Sequence, residues 1–363
     1  FYLPIGWVFK RSRSPWLSAL VLLLMEELRA RFPFGGFGWT RIAFSQVESP
    51  ALQIVSIGGV LALSAFTVLI AVLVTKIGLK SFVGIAILFI VALSIPSNPQ
   101  GSGSVHLLAV QGNTPEVGLE FNSRAKAVFN LHRDATKEFA NEPYDAIIWP
   151  ENSIDIDPRK YPEVAADMTA LTKGLQTPLI AGVVQQGDVG PENASIMYSE
   201  EGLRQSVYIK RGLTPFGEFM PLRKIAEFIT PMAKTVVDFA PGDKLVTHQV
   251  SGAELGPILC YEIIIDSLVR DMANNSQALI VQTNSATFAN TAESAQQLAI
   301  TRIRAVEHSR AIVSVSTVGI SAFIDNNGRV LSQTPENKRA FLVGNLELNN
   351  YRTFIDRFSL WIN

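Results

Sequence analysis

A single cysteine is the first residue of this sequence whose type and position suggest chemistry. Cys260 follows the apolar run Pro257-Ile258-Leu259 and precedes Tyr261-Glu262 and a helical pattern, so we expect it at a strand-to-helix junction. Such a junction presents a side chain and places backbone N–H groups where an oxyanion could be held. The competing interpretation is simple packing, because free cysteine is among the most frequently buried residue types.

Two further strand ends supply the groups that a nucleophilic thiol needs. Glu151 follows Ile147-Ile148-Trp149-Pro150, and Lys210 follows Tyr208-Ile209. A carboxylate can act as general base, and an ammonium can stabilise developing negative charge. Either residue alone at a strand end is usually a solvated surface residue. Open α/β sheets, however, build sites at the carboxyl ends of their strands, so the three residues together predict covalent cysteine catalysis.

The residues after 104 have the pattern of an α/β layered domain that could bring these strand ends together. Apolar runs rich in β-branched residues predict strands buried on both faces, and amphipathic stretches between them predict helices. Asn326-Asn327-Gly328 is a strong hairpin turn signal. The predicted strands are 105–111, 146–149, 179–184, 257–261, 279–283, 311–316, 321–324, 329–331 and 341–343, and the predicted helices are 120–140, 162–175, 263–273 and 292–310.

The first 96 residues have the composition of membrane helices. Residues 49–75 carry no charge and exceed the ~20 residues needed to cross the hydrocarbon core. Residues 81–95 form a second apolar run, and 16–32 form a weaker one that contains Glu26 and Glu27. Charged groups at such depth usually face a bundle interior or a polar cavity. We therefore predict about three spans within 1–96 and a polar linker at 97–104; the alternative is a buried hairpin of a soluble protein.

Basic residues near the predicted spans indicate how the chain is oriented across the membrane. They cluster at 10–13 and at 76–80, and the positive-inside rule places both clusters in the cytoplasm and everything after 96 outside. An unpaired thiol on that oxidising side is expected to be reactive. The chain opens without a methionine, so we expect it to be part of a longer protein, with residues 351–363 starting a last membrane segment near Trp361.

The composition excludes several other classes of function. Of 363 residues, 31 are basic and 32 acidic, and a net charge of −1 gives no basic surface for nucleic acid. One cysteine excludes an intramolecular disulfide framework, and four scattered histidines lack metal-ligand spacing. We expect neither a metal nor a cofactor.

In these local contexts the order Glu151, Lys210, Cys260 resembles the Glu–Lys–Cys triad of the nitrilase, or carbon–nitrogen hydrolase, superfamily. Within it, the chain is most similar to the membrane-embedded apolipoprotein N-acyltransferases, and in particular to their actinobacterial members. The likeness covers nearly the whole chain. It is carried by Phe32-Pro33-Phe34-Gly35-Gly36-Phe37-Gly38-Trp39, Phe44-Ser45-Gln46, Trp149-Pro150-Glu151, Pro215-Phe216-Gly217-Glu218-Phe219, Cys260-Tyr261-Glu262-Ile263, the segment 302–310 and Val318-Gly319-Ile320.

The resemblance implies an α+β membrane protein whose helical spans precede an αββα-sandwich catalytic domain at 105–350. It implies a monomeric, multi-pass protein of the cell membrane that has no cofactor and whose catalytic domain lies on the extracytoplasmic side. Glu151 would act as general base while Cys260 attacks a glycerophospholipid ester and becomes acylated. Lys210 and the backbone N–H of Tyr261 would hold the oxyanion. The α-amine of a diacylglyceryl-modified lipoprotein would then accept the acyl chain.

The resemblance also assigns supporting residues. Glu218 would orient Lys210 and the amine, and Tyr261 and Glu262 would be pocket residues that bind substrate. Thr287 departs from the family pattern, since many members have tryptophan there, and it would remove an aromatic surface from the acyl-binding side. The aromatic loop 33–50 suits a lipid interface, with an ordinary anchor belt as the alternative.

Other interpretations of the same residues stay open. A membrane-tethered amidase or nitrilase would use the same triad with water as acceptor. A catalytically inactive scaffold would predict loss of a triad residue, and all three are present. His308 is expected to satisfy a local hydrogen bond, and Asp266, Arg270 and Asp271 are expected to form a solvated helix face.

Overall fold

The computed structural model describes residues 1–115 and 126–358. Within these residues, helices come first and two six-stranded sheets follow. The helices are α1 (Leu3–Ser12), α2 (Pro15–Arg31), α3 (Val55–Val74), α4 (Leu79–Leu93), α5 (Ala127–Phe139), α6 (Pro162–Leu175), α7 (Arg223–Ile229), α8 (Asp266–Asn274), α9 (Glu293–His308) and α10 (Phe354–Phe358). The strands are β1 (Ser104–Gln111), β2 (Ala146–Ile148), β3 (Leu179–Gln186), β4 (Pro191–Tyr198), β5 (Arg204–Ile209), β6 (His248–Val250), β7 (Ala253–Leu259), β8 (Ala278–Thr283), β9 (Ile312–Ser316), β10 (Ala322–Ile324), β11 (Val330–Gln333) and β12 (Ala340–Glu347).

The two sheets are built alike, with three neighbouring parallel strands in each. One runs β12-β1-β2-β3-β4-β5 and the other β11-β10-β9-β8-β7-β6. Strands β1, β2 and β3 are parallel to one another, as are β7, β8 and β9, and antiparallel strands complete both sheets. Glu151 follows β2 and Cys260 follows β7, so both lie beyond the carboxyl ends of parallel strands, where α/β sheets build their sites.

Side chains that alternate in direction along each strand pack one face of a sheet on the other sheet and the opposite face on helices. Leu107 of β1 shares an apolar cluster with Ile280 of β8 between the sheets. Its neighbour Leu108 points the other way and clusters with Phe129 of α5. On the second sheet, Val281 belongs to a cluster that contains residues of α8, α9 and α3. Because successive side chains of a strand point to opposite faces, both sheets are buried on both faces, which gives the predicted αββα sandwich.

Most predicted elements are present, with local corrections. The strand predicted at 257–261 ends at Leu259, because Cys260–Ile264 forms a 3-10 turn, and the following helix begins at Asp266 rather than at 263. The helix predicted at 120–140 is present as α5, while 120–125 lie outside the described residues. The sequence patterns did not predict β4, β6, α1 or α7; β4 mixes polar with apolar residues and lacks the continuous apolar run of a central strand.

One apolar helical stretch in the described chain is long enough to cross a membrane. It covers Leu52–Val74 and has a mean hydropathy of 2.6, whereas the apolar stretch Leu79–Leu93 is shorter. Helix α3 breaks at Gly58 and Gly59, and Gly59 adopts a φ of 66°. The N–H that this break exposes at Val60 donates to the Glu307 carboxylate of α9, 3.2 Å away. Helix α9 of the α/β sandwich therefore caps an interruption in the apolar helix.

A chain of partly and fully buried ion pairs joins the helical region to the sandwich. Arg41 contacts Glu27 of α2 at 3.1 Å and Asp266 of α8 at 2.7 Å. Asp266 also pairs with Arg304 of α9 at 2.6 Å, and Arg304 pairs with Glu307. The prediction that Asp266 belongs to a solvated helix face is therefore wrong, because residues from distant parts of the sequence cover it.

Other polar groups of the helical region also find partners. Glu26 is buried and accepts hydrogen bonds from Ser64 Oγ and from the Ile42 N–H, as expected for a carboxylate facing a bundle interior. His308 contacts Asp356 of α10 through Nδ1 at 2.8 Å, which confirms the expected local hydrogen bond. The membrane segment predicted near Trp361 lies outside the described residues.

Candidate active site

Cys260 occupies a sharp elbow at the end of β7. Its φ of 47° is in the left-handed region, which costs a non-glycine residue about 1–3 kcal/mol and persists only where the surroundings enforce it. The thiol borders a cavity of about 990 Å³. The sequence prediction of a strand-to-helix junction at Cys260 is confirmed, and the junction holds the cysteine in a strained conformation.

Glu262 enforces the elbow from behind. One carboxylate oxygen accepts a hydrogen bond from the Leu259 N–H at 2.8 Å. The other accepts from the Tyr208 hydroxyl and from the N–H groups of Arg211 and Gly212, at 2.7 to 3.0 Å. Glu262 is fully buried and does not border the cavity, so its predicted contact with substrate is wrong. It links the residues that follow β5 to the cysteine elbow.

Lys210 lies between two carboxylates. Its Nζ is 2.9 Å from Glu151 Oε1 and 2.8 Å from Glu218 Oε2, and its side chain is 1% exposed. Glu151, which is 59 residues from Lys210 in the sequence, therefore joins Lys210 and Glu218 in one buried ionic cluster that borders the same cavity as Cys260. The structure brings all three predicted triad residues and Glu218 together; their catalytic roles stay predictions.

Hydrogen bonds hold both carboxylates in place. Asn193 of β4 donates to Glu151 at 2.7 Å and to Glu218 at 2.9 Å. The Asn284 N–H donates to the second oxygen of Glu151 at 2.9 Å. Gly182 of β3 lets the backbone of Glu151 approach, because a Cβ at that position would lie 2.4 Å from the Glu151 Cα. Each carboxylate thus has a fixed direction.

The electrostatics of the cluster favour a neutral thiol and a charged lysine. Burial raises the pKa of the Cys260 thiol well above its usual range, and the Glu151 charge raises it further while Lys210 opposes. Burial acts to lower the pKa of Lys210, but Glu151 and Glu218 outweigh it and hold that pKa well above its usual range. For Glu218, burial acts upward and is outweighed by Lys210, so its pKa is lowered. The resting thiol therefore needs a base.

Aromatic residues surround the reactive end of the cavity. Tyr261 donates its hydroxyl to the Gly36 carbonyl at 2.6 Å and stacks near Phe37, so the aromatic loop is fixed beside the residue that follows Cys260. A Cβ at Gly36 would collide with the Ala30 backbone at 2.2 Å, so the loop needs glycine there. The aromatic residues of the wall are Phe1, Phe32, Phe34, Phe37, Trp39, Phe216, Phe239, Tyr261 and Phe288.

Several cavity residues were not predicted from the sequence. Thr287, the predicted departure, does border the cavity. Asn284 and Glu293, which border it, were missed, as was Asn193, which does not line the cavity but donates to Glu151. Asn284 directly follows a predicted strand, which was an available signal, whereas Asn193 and Glu293 are polar residues without a local motif.

Two family profiles match the chain. The profile described as carbon–nitrogen hydrolase matches residues 107–356, and that of the apolipoprotein N-acyltransferase N-terminal domain matches residues 1–73. Among solved structures, a mutant amidase from Nesterenkonia sp. AN1, with an acetamide moiety on its active-site cysteine, superposes with a TM-score of 0.55 at 14% identity. That match covers 72% of this chain and 96% of the amidase. At this identity the likeness concerns the fold, and the nitrilase-like fold is confirmed.

Curated relatives carry the name apolipoprotein N-acyltransferase. The one from Mycolicibacterium smegmatis is 34% identical over 73% of this chain and 48% of its own length. The one from Coxiella burnetii is 28% identical over 98% of this chain and 76% of its own length. The chain thus spans about half of the mycobacterial relative. This chain belongs to the carbon–nitrogen hydrolase family, in which its similarity is to the apolipoprotein N-acyltransferases, as the sequence motifs indicated.

Proposed function

We propose that this chain is a phospholipid:apolipoprotein N-acyltransferase. The observation that carries the proposal is that Cys260, with its Glu–Lys cluster, borders a large aromatic-walled cavity built partly by the loop 33–39 of the helical region. A soluble enzyme that hydrolyses small amides gains nothing from such a wall, whereas a lipid acyl chain fits it. The names of the curated relatives favour the same function over the tethered amidase alternative.

In the first half-reaction, Glu151 takes the proton of the Cys260 thiol. The sulfur attacks the ester carbonyl of a glycerophospholipid, the C–O bond breaks, and a lysophospholipid leaves with a proton returned by Glu151. Lys210 stabilises the oxyanion of the tetrahedral intermediate, together with the backbone N–H of Tyr261. Glu218 and Asn193 hold the side chains of Lys210 and Glu151 in position.

In the second half-reaction, the α-amine of a diacylglyceryl-cysteine lipoprotein attacks the thioester. A C–N bond forms, the C–S bond breaks, and the thiol recovers a proton through Glu151. The products are an amide on the lipoprotein and free enzyme.

We further propose that residues 1–96 belong to a multi-pass membrane region, that 97–104 are a linker, and that 105–350 act on the extracytoplasmic side as a monomer. The long apolar stretch Leu52–Val74 supports a membrane location. So does the exposed apolar surface of α7, where Phe228 is 92% exposed, because large exposed apolar patches mark contact with lipid or protein. Both substrates are lipids, so a site at the membrane surface turns a three-dimensional search into a local one.

Intact-mass analysis after incubation with phosphatidylethanolamine tests the proposal, with Cys260→Ser as the matched control. We expect a hydroxylamine-sensitive adduct of one fatty acyl mass on the wild type only. Adding a diacylglyceryl-cysteine peptide should discharge that adduct to a stable amide. If no adduct forms and small amides or nitriles label the thiol instead, the tethered hydrolase replaces the acyltransferase.

A further inference from the structure

Glu293 differs from the other carboxylates of the cavity because no cationic side chain among the described residues pairs with it. Glu151 and Glu218 both pair with Lys210. Glu293, in the first turn of α9, borders the same cavity, and among the described residues its polar neighbours are the hydroxyls of Ser285 and Ser294. The site therefore contains one carboxylate whose charge no side chain of the described chain neutralises.

The surroundings of Glu293 make its charge responsive to a ligand. The pKa of Glu293 is raised to about 7: burial is the largest cause, the Ser285 and Ser294 hydroxyls oppose it, and the charges of Glu151 and Glu336 support it. The Glu293 charge in turn raises the pKa of Cys260. An anion at this position thus hinders formation of the thiolate, so the acylation step does not explain its presence. A cation that entered the cavity would be attracted to it.

We propose that Glu293 binds the α-ammonium of the acceptor lipoprotein and takes its first proton. The assignment rests on the proposed N-acyltransferase function and names the acceptor subsite of that cavity. Glu293 becomes a carboxylic acid and the ammonium becomes an amine. The amine nitrogen then forms the C–N bond as the C–S bond breaks. The second amine proton passes through Glu151 to the sulfur, and Glu293 releases its proton to solvent.

The other carboxylates are already committed to other partners. Glu151 is bound by Lys210, Asn193 and Asn284, and Glu218 by Lys210, Asn193 and the Thr214 N–H. Moving either toward an ammonium would break bonds that hold the cluster together. A free α-amine has a pKa of about 8, so it arrives largely protonated and needs an acceptor before it can attack. A carboxyl that titrates near neutrality is suited to exchange that proton.

The test compares two nucleophiles on the acyl-enzyme of wild type and Glu293→Gln, prepared with phosphatidylethanolamine. A diacylglyceryl-cysteine peptide presents an ammonium, whereas hydroxylamine is a neutral nucleophile. We expect the KM for the peptide to rise roughly 10- to 100-fold in Glu293→Gln, the range for loss of a charge-assisted hydrogen bond. Discharge by hydroxylamine should change by less than about twofold. Glu293→Asp, which keeps the charge, should recover part of the peptide KM.

The matched control is Glu201→Gln, an exposed carboxylate in the turn between β4 and β5, which should behave as wild type with both nucleophiles. An unchanged peptide KM in Glu293→Gln would overturn the assignment, as would an equal loss with both nucleophiles. Failure of the wild type to form any acyl-enzyme is a different result, because it would overturn the proposed function itself.

Discussion

Replacing Glu262 tests whether the cysteine elbow depends on a buried carboxylate. Its two oxygens accept hydrogen bonds from three backbone N–H groups and the Tyr208 hydroxyl. Glu262→Ala leaves all four donors buried without a partner, at about 1–3 kcal/mol each, which approaches the whole stability of a domain. Glu262→Gln keeps one acceptor oxygen but turns an N–H donor toward the N–H of Leu259. We expect that variant to lose roughly 2–4 kcal/mol, from one unsatisfied donor and the loss of charge assistance.

Thermal unfolding in detergent measures this loss. At roughly 2–4 °C per kcal/mol, the Tm of Glu262→Gln should fall by roughly 4–16 °C. Tyr208→Phe removes a single donor, so its cost should be about 1 kcal/mol. The KM for the phospholipid donor should stay near the wild-type value in the Gln variant, because Glu262 does not border the cavity. A raised KM with an unchanged Tm would refute this reasoning and restore Glu262 as a residue that binds substrate.

Three other predictions test the cluster and the junction. Glu151→Gln removes a charge that raises the pKa of Cys260, so iodoacetamide should alkylate the thiol faster at a fixed pH, although lipid-dependent acylation is lost. Slower alkylation would contradict the electrostatic effect assigned to Glu151. Gly182→Ala inserts a Cβ 2.4 Å from the Glu151 backbone, so the acylation rate should fall and thermal unfolding should register a loss of about 1–3 kcal/mol in stability. Wild-type behaviour would mean that β3 and the Glu151 backbone can move apart without cost. Asp266→Asn leaves Arg41 without its closest anion, and thermal unfolding should register a loss of about 3–5 kcal/mol in stability. A change below about 0.5 kcal/mol would show that the ion pairs between the helical region and the sandwich contribute little to stability.

The placement of the candidate catalytic residues was predictable because it follows from apolar patterning. A buried strand must end where its apolar run ends, so the positions of Glu151 and Cys260 could be predicted from the residues before them. The pattern also predicted that the strand ends would meet, since α/β sheets build sites at the carboxyl ends of their strands; in the structure β2 and β5 belong to one sheet and β7 to the other, so the ends meet across the sandwich. The family resemblance added the chemistry and the link to lipid.

The missed features depend on contacts between distant segments. Asp266 lies on an amphipathic helix whose periodicity indicates a solvated face, but Arg41 and Arg304 cover it. The family resemblance placed Glu262 in the pocket, whereas the 3-10 turn directs its side chain behind the elbow. Local sequence specifies periodicity, and it does not specify which segment will cover a polar residue.

Under the proposed mechanism, the arrangement of charges explains how a thiol with a raised pKa can serve as the nucleophile. Before reaction, Lys210 carries one positive charge against the negative charges of Glu151 and Glu218, and Cys260 is neutral. Transfer of the thiol proton to Glu151 moves a negative charge to sulfur and leaves the net charge of the site unchanged. Creating a new buried charge would carry a large desolvation cost, whereas moving one beside a fixed ammonium avoids most of it. Lys210 then acts on whichever oxygen or sulfur holds the negative charge, without itself changing protonation. The two carboxylates that bind it are therefore needed to keep it charged in a buried site, and removal of either one should impair catalysis even where it does not touch the substrate.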